Sequence, residues 1–307
     1  LSDSEAFDAG SSQYCTGLAG KIILNTTHSW TITDGGKNCT GITDLIECGI
    51  IDSSGTYTVQ NDINATDVCF NITSDNVILN GAGFTIDGDS TGTDYGVYTN
   101  GYNNLTIKNF GNIKEFIRGI YLIESNDSVI ENNTMVSTYA DTTYAIYLVD
   151  SNHTTVYDNV IEWNTTAIDK ISYGVYIYQT VARGYNNITE NNLTIHSLKY
   201  AYGIYQVNYG PSNFNTIQSN RLVVISLYAY GLYLSNEDTS NFNTIQSNTM
   251  NVNGTLAYGV YLNSQGISSN TLLNNNLSCS ADILHRVIED RSGAGETNYL
   301  VYNNNFW

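Results

Sequence analysis

Small, branched and aromatic residues recur along this chain in one short block. Its copies are Tyr95-Gly96-Val97-Tyr98, Arg118-Gly119-Ile120-Tyr121, Tyr144-Ala145-Ile146-Tyr147, Tyr173-Gly174-Val175-Tyr176, Tyr202-Gly203-Ile204-Tyr205, Tyr230-Gly231-Leu232-Tyr233 and Tyr258-Gly259-Val260-Tyr261. From the second residue of each copy to the next, the intervals are 23, 26, 29, 29, 28 and 28 residues, and the degraded copy His285-Arg286-Val287-Ile288 follows after 27. Self-similarity at this period marks a repeat architecture. A second block lies inside each period: a branched residue or Leu, then Asn three later, then an apolar residue two beyond. It appears as Ile130/Asn133/Met135, Val156/Asn159/Ile161, Ile188/Asn191/Leu193, Ile217/Asn220/Leu222, Ile245/Asn248/Met250, Leu272/Asn275/Leu277 and Val301/Asn304/Phe306. The pattern predicts two short strands per period, with Asn at the turn because Asn tolerates the left-handed conformation. Periods filled with Tyr, Ile, Val, Thr, Asn and Gly, and no 3.6-residue amphipathic pattern, exclude helical repeats.

Strand alternation sorts the first block into faces. It puts the first Tyr, the branched residue and the following apolar residue toward the core, so Ile120/Leu122, Ile146/Leu148, Val175/Ile177, Leu232/Leu234 and Val260/Leu262 form interior ladders. Gly and the second Tyr fall outside, where Tyr98, Tyr121, Tyr147, Tyr176, Tyr205, Tyr233 and Tyr261 form a surface ladder beside a row of glycines. Such a ladder can stiffen a parallel sheet, make a dry contact for another subunit, or serve as a saccharide platform.

The strand Tyr230 to Leu234 followed by Asn243 to Asn248 resembles the repeats of right-handed parallel β-helices of the pectate-lyase-like and NosD-like type, known as PbH1 repeats. The stretch Asn76-Val77-Ile78-Leu79-Asn80-Gly81-Ala82-Gly83-Phe84-Thr85-Ile86-Asp87-Gly88 resembles the first coil common in that group. The resemblance covers roughly Tyr57 to Trp307 and implies an all-β, single-stranded solenoid. Two regions are expected: 1–69, an arm and disulfide-stapled N-terminal cap with the leading coils, and 70–307, the β-helix repeats. At a strand spacing of about 4.8 Å per coil the rod is roughly 45 to 50 Å long. The fold hosts lyases, hydrolases, adhesins and structural proteins, so the resemblance fixes no function.

Charge narrows the partners. The net charge is −18 with only 11 Lys and Arg, which disfavours nucleic acid and anionic membranes. The chain starts at Leu1 rather than Met and has no apolar run long enough to span a bilayer, so a mature, secreted or cell-surface product is expected. Thirteen Asn-x-Ser/Thr sequons, at Asn25, Asn38, Asn64, Asn71, Asn104, Asn126, Asn132, Asn152, Asn164, Asn187, Asn192, Asn253 and Asn276, point to N-glycosylation. Five cysteines suit an oxidising compartment. Cys15 with Cys39 and Cys48 with Cys69 is the favoured pairing, other arrangements staying open, and Cys279 is left inside a coil as a small apolar residue.

Catalytic chemistry is hard to find. The hydrolases of the resembled group need clustered carboxylates with Gly-His-Gly and Arg-x-Lys motifs, and their lyases need Asp-bound Ca²⁺ with an Arg base on adjacent coils. Those hydrolase motifs do not occur, and Arg118, Arg183, Arg221, Arg286 and Arg291 fall at unrelated phases of the repeat. His28, His153, His196 and His285 share no phase either. No cofactor is expected beyond a weak structural Ca²⁺ at Asp87, Asp89 and Asp94, where oxygen ligands alternate but position twelve is Tyr98 rather than Glu. The chain stops in mid-repeat at Phe306-Trp307, leaving an apolar coil open. These features lead to the expectation of a secreted, glycosylated structural protein whose copies join head to tail into a filament or surface layer. The residues 1–20 arm would lie across the joint. The alternatives are a polysaccharide-binding adhesin and a carbohydrate-active β-helix enzyme, whether lyase or hydrolase.

Overall fold

The computed structural model describes residues 6–8, 31–33, 42–180, 184–210, 214–236, 242–264, 269–291, 299–301 and 305–306. Among them every element is a strand, and every ladder is parallel. Among the described residues no helix is long and apolar enough to cross a membrane. The strands stack as a β-solenoid.

Each central coil has three strands, one more than the sequence pattern suggests. A three-residue strand comes first, as in Thr106–Lys108, Val129–Glu131, Thr155–Tyr157 and Asn187–Thr189. A middle strand follows, as in Asn112–Lys114, Thr134–Ser137, Val160–Asn164 and Asn192–His196. The tyrosine strand closes the coil, as in Tyr95–Asn100, Arg118–Ile123, Thr143–Val149, Ile171–Gln179 and Tyr200–Asn208. In the later coils the middle and tyrosine strands run on without a break, as Arg221–Asn236, Thr249–Ser264 and Asn276–Asp290. The short strands build an 11-stranded sheet and the others a 17-stranded sheet. Both sheets already include residues ahead of 70: Ile42–Leu45 pairs with Gly55–Val59, and Gly49–Ile51 with Phe70–Ile72. Upstream, Ala6–Asp8 pairs with Thr31–Thr33. The other residues up to 41, and Trp307 at the other end, lie outside the described residues. Tyr299–Val301 and Asn305–Phe306 extend the two sheets.

The core is a bundle of apolar columns, one residue per coil. Ile107, Ile130, Val156, Ile188, Ile217 and Ile245 stack on the short strands, Ile113, Met135, Ile161, Leu193, Leu222 and Met250 on the middle strands, and all are buried. On the tyrosine strands Val97, Ile120, Ile146, Val175, Ile204, Leu232 and Val260 do the same. Such full burial removes each side chain from water at about 25 cal/mol per Å² of apolar surface.

Two expectations from alternation are corrected. The first Tyr of each block does not face the core. Gly96 and Val97 are both buried while Tyr95 and Tyr98 are both on the surface, with their rings 5.4 Å apart. The strand therefore sends two consecutive residues inward. Only the first position explains the glycine: a Cβ on Gly203 would meet Leu222 Cδ2 at 2.5 Å and the Gly231 carbonyl oxygen at 2.6 Å. The row of glycines is thus internal, and what lies beside the expected tyrosine ladder is a second tyrosine row.

The repeating Asn is also not the left-handed residue. Positive φ falls one position earlier, at Asn132, Asp158, Glu190, Ser219, Ser247 and Asn274. The Asn that follows is buried and hydrogen-bonded from coil to coil: Asn133 Nδ2 donates to Asn159 Oδ1 at 3.0 Å, Asn159 to Asn191 at 3.0 Å, Asn191 to Asn220 at 3.0 Å, Asn220 to Asn248 at 3.1 Å, and Asn248 to Asn275 at 3.0 Å. Each amide also satisfies a backbone group, so the corner needs the side chain's two-sided hydrogen bonding.

Candidate functional site

The tyrosine strands place two parallel columns of rings on one outer face. One column contains the expected Tyr98, Tyr121, Tyr147, Tyr176, Tyr205, Tyr233 and Tyr261, in register through the ladder. The other contains Tyr95, Tyr144, Tyr173, Tyr202, Tyr230 and Tyr258, with Arg118 in the place between Tyr95 and Tyr144. The signal for this second column was present in the repeat, but strict alternation sent it inward.

Ring geometry determines what the face can do. In the second column Tyr144 and Tyr173 stack at 4.9 Å and 2°, Tyr173 and Tyr202 at 5.1 Å and 10°, Tyr202 and Tyr230 at 4.9 Å and 11°, and Tyr230 and Tyr258 at 5.0 Å and 9°. In the first, Tyr121, Tyr147 and Tyr176 stack at 4.9 and 4.8 Å, and Tyr205, Tyr233 and Tyr261 at 4.8 and 4.9 Å. Between these runs Tyr176 and Tyr205 meet edge to face at 74°. Stacked neighbours cover one another's faces, so the columns turn ring edges rather than ring faces to solvent, and Tyr173 and Tyr258 are buried among their neighbours.

Burial, with the neighbouring phenols second, raises the pKa of Tyr147, Tyr173, Tyr176, Tyr202 and Tyr230. These five phenols therefore stay neutral across the physiological pH range. A phenol held neutral both donates and accepts hydrogen bonds.

The acidic loop before the first tyrosine strand does not gather its three carboxylates. Asp87 pairs with Lys114 at 2.7 Å. Asp89 accepts from the Thr91 hydroxyl at 2.8 Å and its backbone N–H at 2.9 Å, which lowers its pKa. Asp94 is buried, and burial followed by the charge of Asp89 pushes its pKa up to about 6. Tyr139 closes over this turn, donating its hydroxyl to the Gly92 carbonyl at 3.0 Å. Among the described residues no group of three or more His, Cys, Asp and Glu stands together to hold a metal ion.

The other sequence-derived positions are scattered. Cys48 and Cys69 form a disulfide, Cys15 and Cys39 lie outside the described residues, and burial pushes the Cys279 thiol up to about 11. Of the sequons, Asn25 and Asn38 are not described. Asn64, Asn104, Asn132, Asn192 and Asn276 are exposed, and Asn71, Asn126, Asn152, Asn164, Asn187 and Asn253 are half-buried. Asn71 is in register with a tyrosine strand, opposite Tyr98, and Asn253 and Asn276 lie in the middle-strand part of the continuous runs Thr249–Ser264 and Asn276–Asp290. Of the proposed assembly end, Phe306 is described only as part of a strand.

A family model described as "NosD: Periplasmic copper-binding protein (NosD)" matches residues 37–224. No curated protein matches the chain. Among solved structures, the DFA-IIIase from Arthrobacter chlorophenolicus A6, without its lid and in complex with GF2, is similar at 12% identity and a TM-score of 0.48, over 96% of this chain and 94% of that one.

Proposed function

The chain belongs to the NosD family of periplasmic copper-binding proteins, as that family is described, and from this premise we propose an exported, non-catalytic binding protein that holds an extended, largely neutral polysaccharide along its tyrosine face. Copper does not fit the described residues. His153 lies 3.8 Å from Asp127 and stacks on Tyr185. His196 is exposed on a middle strand, while Met135 and Met250 are sealed in core columns of different coils. The soft and imidazole donors a copper centre needs are not gathered.

The observation that carries the reading is the double column of neutral phenols at one ring per coil. An extended pyranoside chain advances by about one strand spacing per sugar, so successive sugars laid along the axis would meet successive tyrosines, one coil apart. The recognition is by hydrogen bonds, since the ring faces are covered. Eight of the eleven described sequons lie off the strands that carry tyrosines and out of register with them, so N-glycans at those positions would leave the face clear. The tyrosine strands Tyr95–Asn100, Thr143–Val149, Ile171–Gln179 and Tyr200–Asn208 carry no carboxylate, and on Asn276–Asp290 the Glu289 carboxylate is held by Arg286 and Arg291, which supports binding over turnover.

Isothermal titration with neutral β-linked oligosaccharides of increasing length tests it. Affinity should rise with length until the chain spans the columns. Tyr176→Ala and Tyr205→Ala should each weaken binding by about tenfold, or about 1.4 kcal/mol. No binding by any neutral oligosaccharide of six or more sugars, or affinities untouched by both substitutions in proteins with unchanged circular dichroism, would overturn the reading.

A further inference from the structure

One residue breaks the tyrosine columns. Arg118 occupies the register position of a tyrosine, between Tyr95 and Tyr144. Its guanidinium carbon lies 5.1, 4.8, 5.2 and 5.5 Å from the ring centroids of Tyr95, Tyr121, Tyr144 and Tyr147. Four rings fix a planar cation in the plane of the face.

The cation is also unspent. Its Nε is sealed from solvent with no hydrogen-bond partner. Its Nη atoms make no hydrogen bond or ion pair among the described residues, and they are not sealed, so they are the part of the guanidinium that solvent reaches. The contrast is at the far end of the face, where Arg286 and Arg291 both pair with Glu289 and the Arg291 guanidinium lies 5.7 Å from the Tyr261 ring. There the cations are partnered by the protein's own carboxylate. At Arg118 it is not, in a chain whose net charge is −18.

We propose that Arg118 is an anion subsite within the glycan-binding face, and that it seats the carboxylate of a uronic acid carried at intervals on an otherwise neutral polysaccharide. This rests on the reading of the tyrosine face as a glycan-binding surface and names the class of glycan. A carboxylate suits the position because a held guanidinium presents parallel N–H donors to two oxygens. A densely charged polyanion does not suit it, because the acidic surface would repel the remaining charges.

The experiment uses one polymer in two forms: a glucuronoxylan, with sparse uronates on a neutral β-linked backbone, and the same polymer after reduction of its carboxyl groups to alcohols. Affinity electrophoresis at low and high salt compares the wild type with Arg118→Gln and with Arg118→Tyr, which completes the column. The wild type should bind the uronate form about tenfold more tightly than the reduced form at low salt, and the ratio should shrink at high salt. Both variants should bring the ratio to about one. Equal binding of the two forms by the wild type, or a preference that survives in both variants, sinks the subsite and leaves the glycan face standing. Failure of the wild type to bind either form sinks both.

Discussion

Asp94 is a carboxyl whose proton the fold holds. Burial and the neighbouring Asp89 raise its pKa from 3.8 to about 6, so between those values the folded chain binds a proton that the unfolded chain has released. The stabilisation from that proton is present in full below about pH 3.8 and is lost as pH rises through 6. Asp94→Asn removes the charge while keeping the shape. The variant should match the wild type near pH 4 and exceed it by about 1 to 2 kcal/mol at pH 8, as read from urea unfolding at the two pH values. An equal difference at both would place the proton elsewhere. Nothing in the sequence distinguished Asp94 from Asp87 or Asp89, since spacing shows which oxygens could meet and not which one the chain buries. The same limit applies to the glycines. Their recurrence was plain, but whether a glycine is outside for want of a side chain or inside for want of room depends on the carbonyl of the next coil.

The corner between short and middle strands shows how an element can be read correctly and explained wrongly. The Asn spacing found the corner, and tolerance of positive φ is a real property of Asn, yet that role falls to the preceding residue. Left-handed backbone and buried amide stacking call for the same residue type, so sequence alone could not separate them. The structure can. Asn220 donates to the Ile188 carbonyl at 2.8 Å and to Asn248 Oδ1 at 3.1 Å, and its own oxygen accepts from Asn191. Asn220→Ala leaves buried partners unpaired on both neighbouring coils and should cost about 2 to 4 kcal/mol. Ser219→Gly, at φ 55° and exposed, should instead be neutral or stabilising by up to about 1 kcal/mol. Equal losses from the two substitutions would return the structural burden to the turn. The third strand per coil escaped the pattern for a related reason. The middle strand and the tyrosine strand lie end to end, and in Arg221–Asn236 they are one continuous run.

For the whole molecule, period and order of coils were legible because each coil repeats the same columns with its neighbours. The head-to-tail filament drawn from the open end has no support in the described residues, and the alternative of carbohydrate recognition suits the tyrosine face better. A stack in which each coil touches only the next should respond to damage locally. Ile204→Ala empties a fully buried position and should cost about 2 to 5 kcal/mol. Hydrogen exchange should quicken in the flanking strands Ile171–Gln179 and Arg221–Asn236 and stay at wild-type rates in Val77–Asn80 and Thr106–Lys108. Uniform quickening along the whole chain would show a single cooperative unit instead.

Even spacing of the tyrosines has a kinetic consequence. If the face holds a glycan as proposed, a neutral polymer shifted by one sugar would meet a like row of hydroxyls one coil further on, and the face would behave like a rack on which a bound chain could advance tooth by tooth without letting go. A handful of near-equivalent placements would add up to roughly 1 kcal/mol of statistical weight to such binding, and hopping between them would require breaking only a few hydrogen bonds at a time. Arg118 is the odd tooth. A chain with scattered acidic sugars would glide until one of them reached that coil and then stop, so that the protein would sort such polymers by where their charges sit rather than by how long they are.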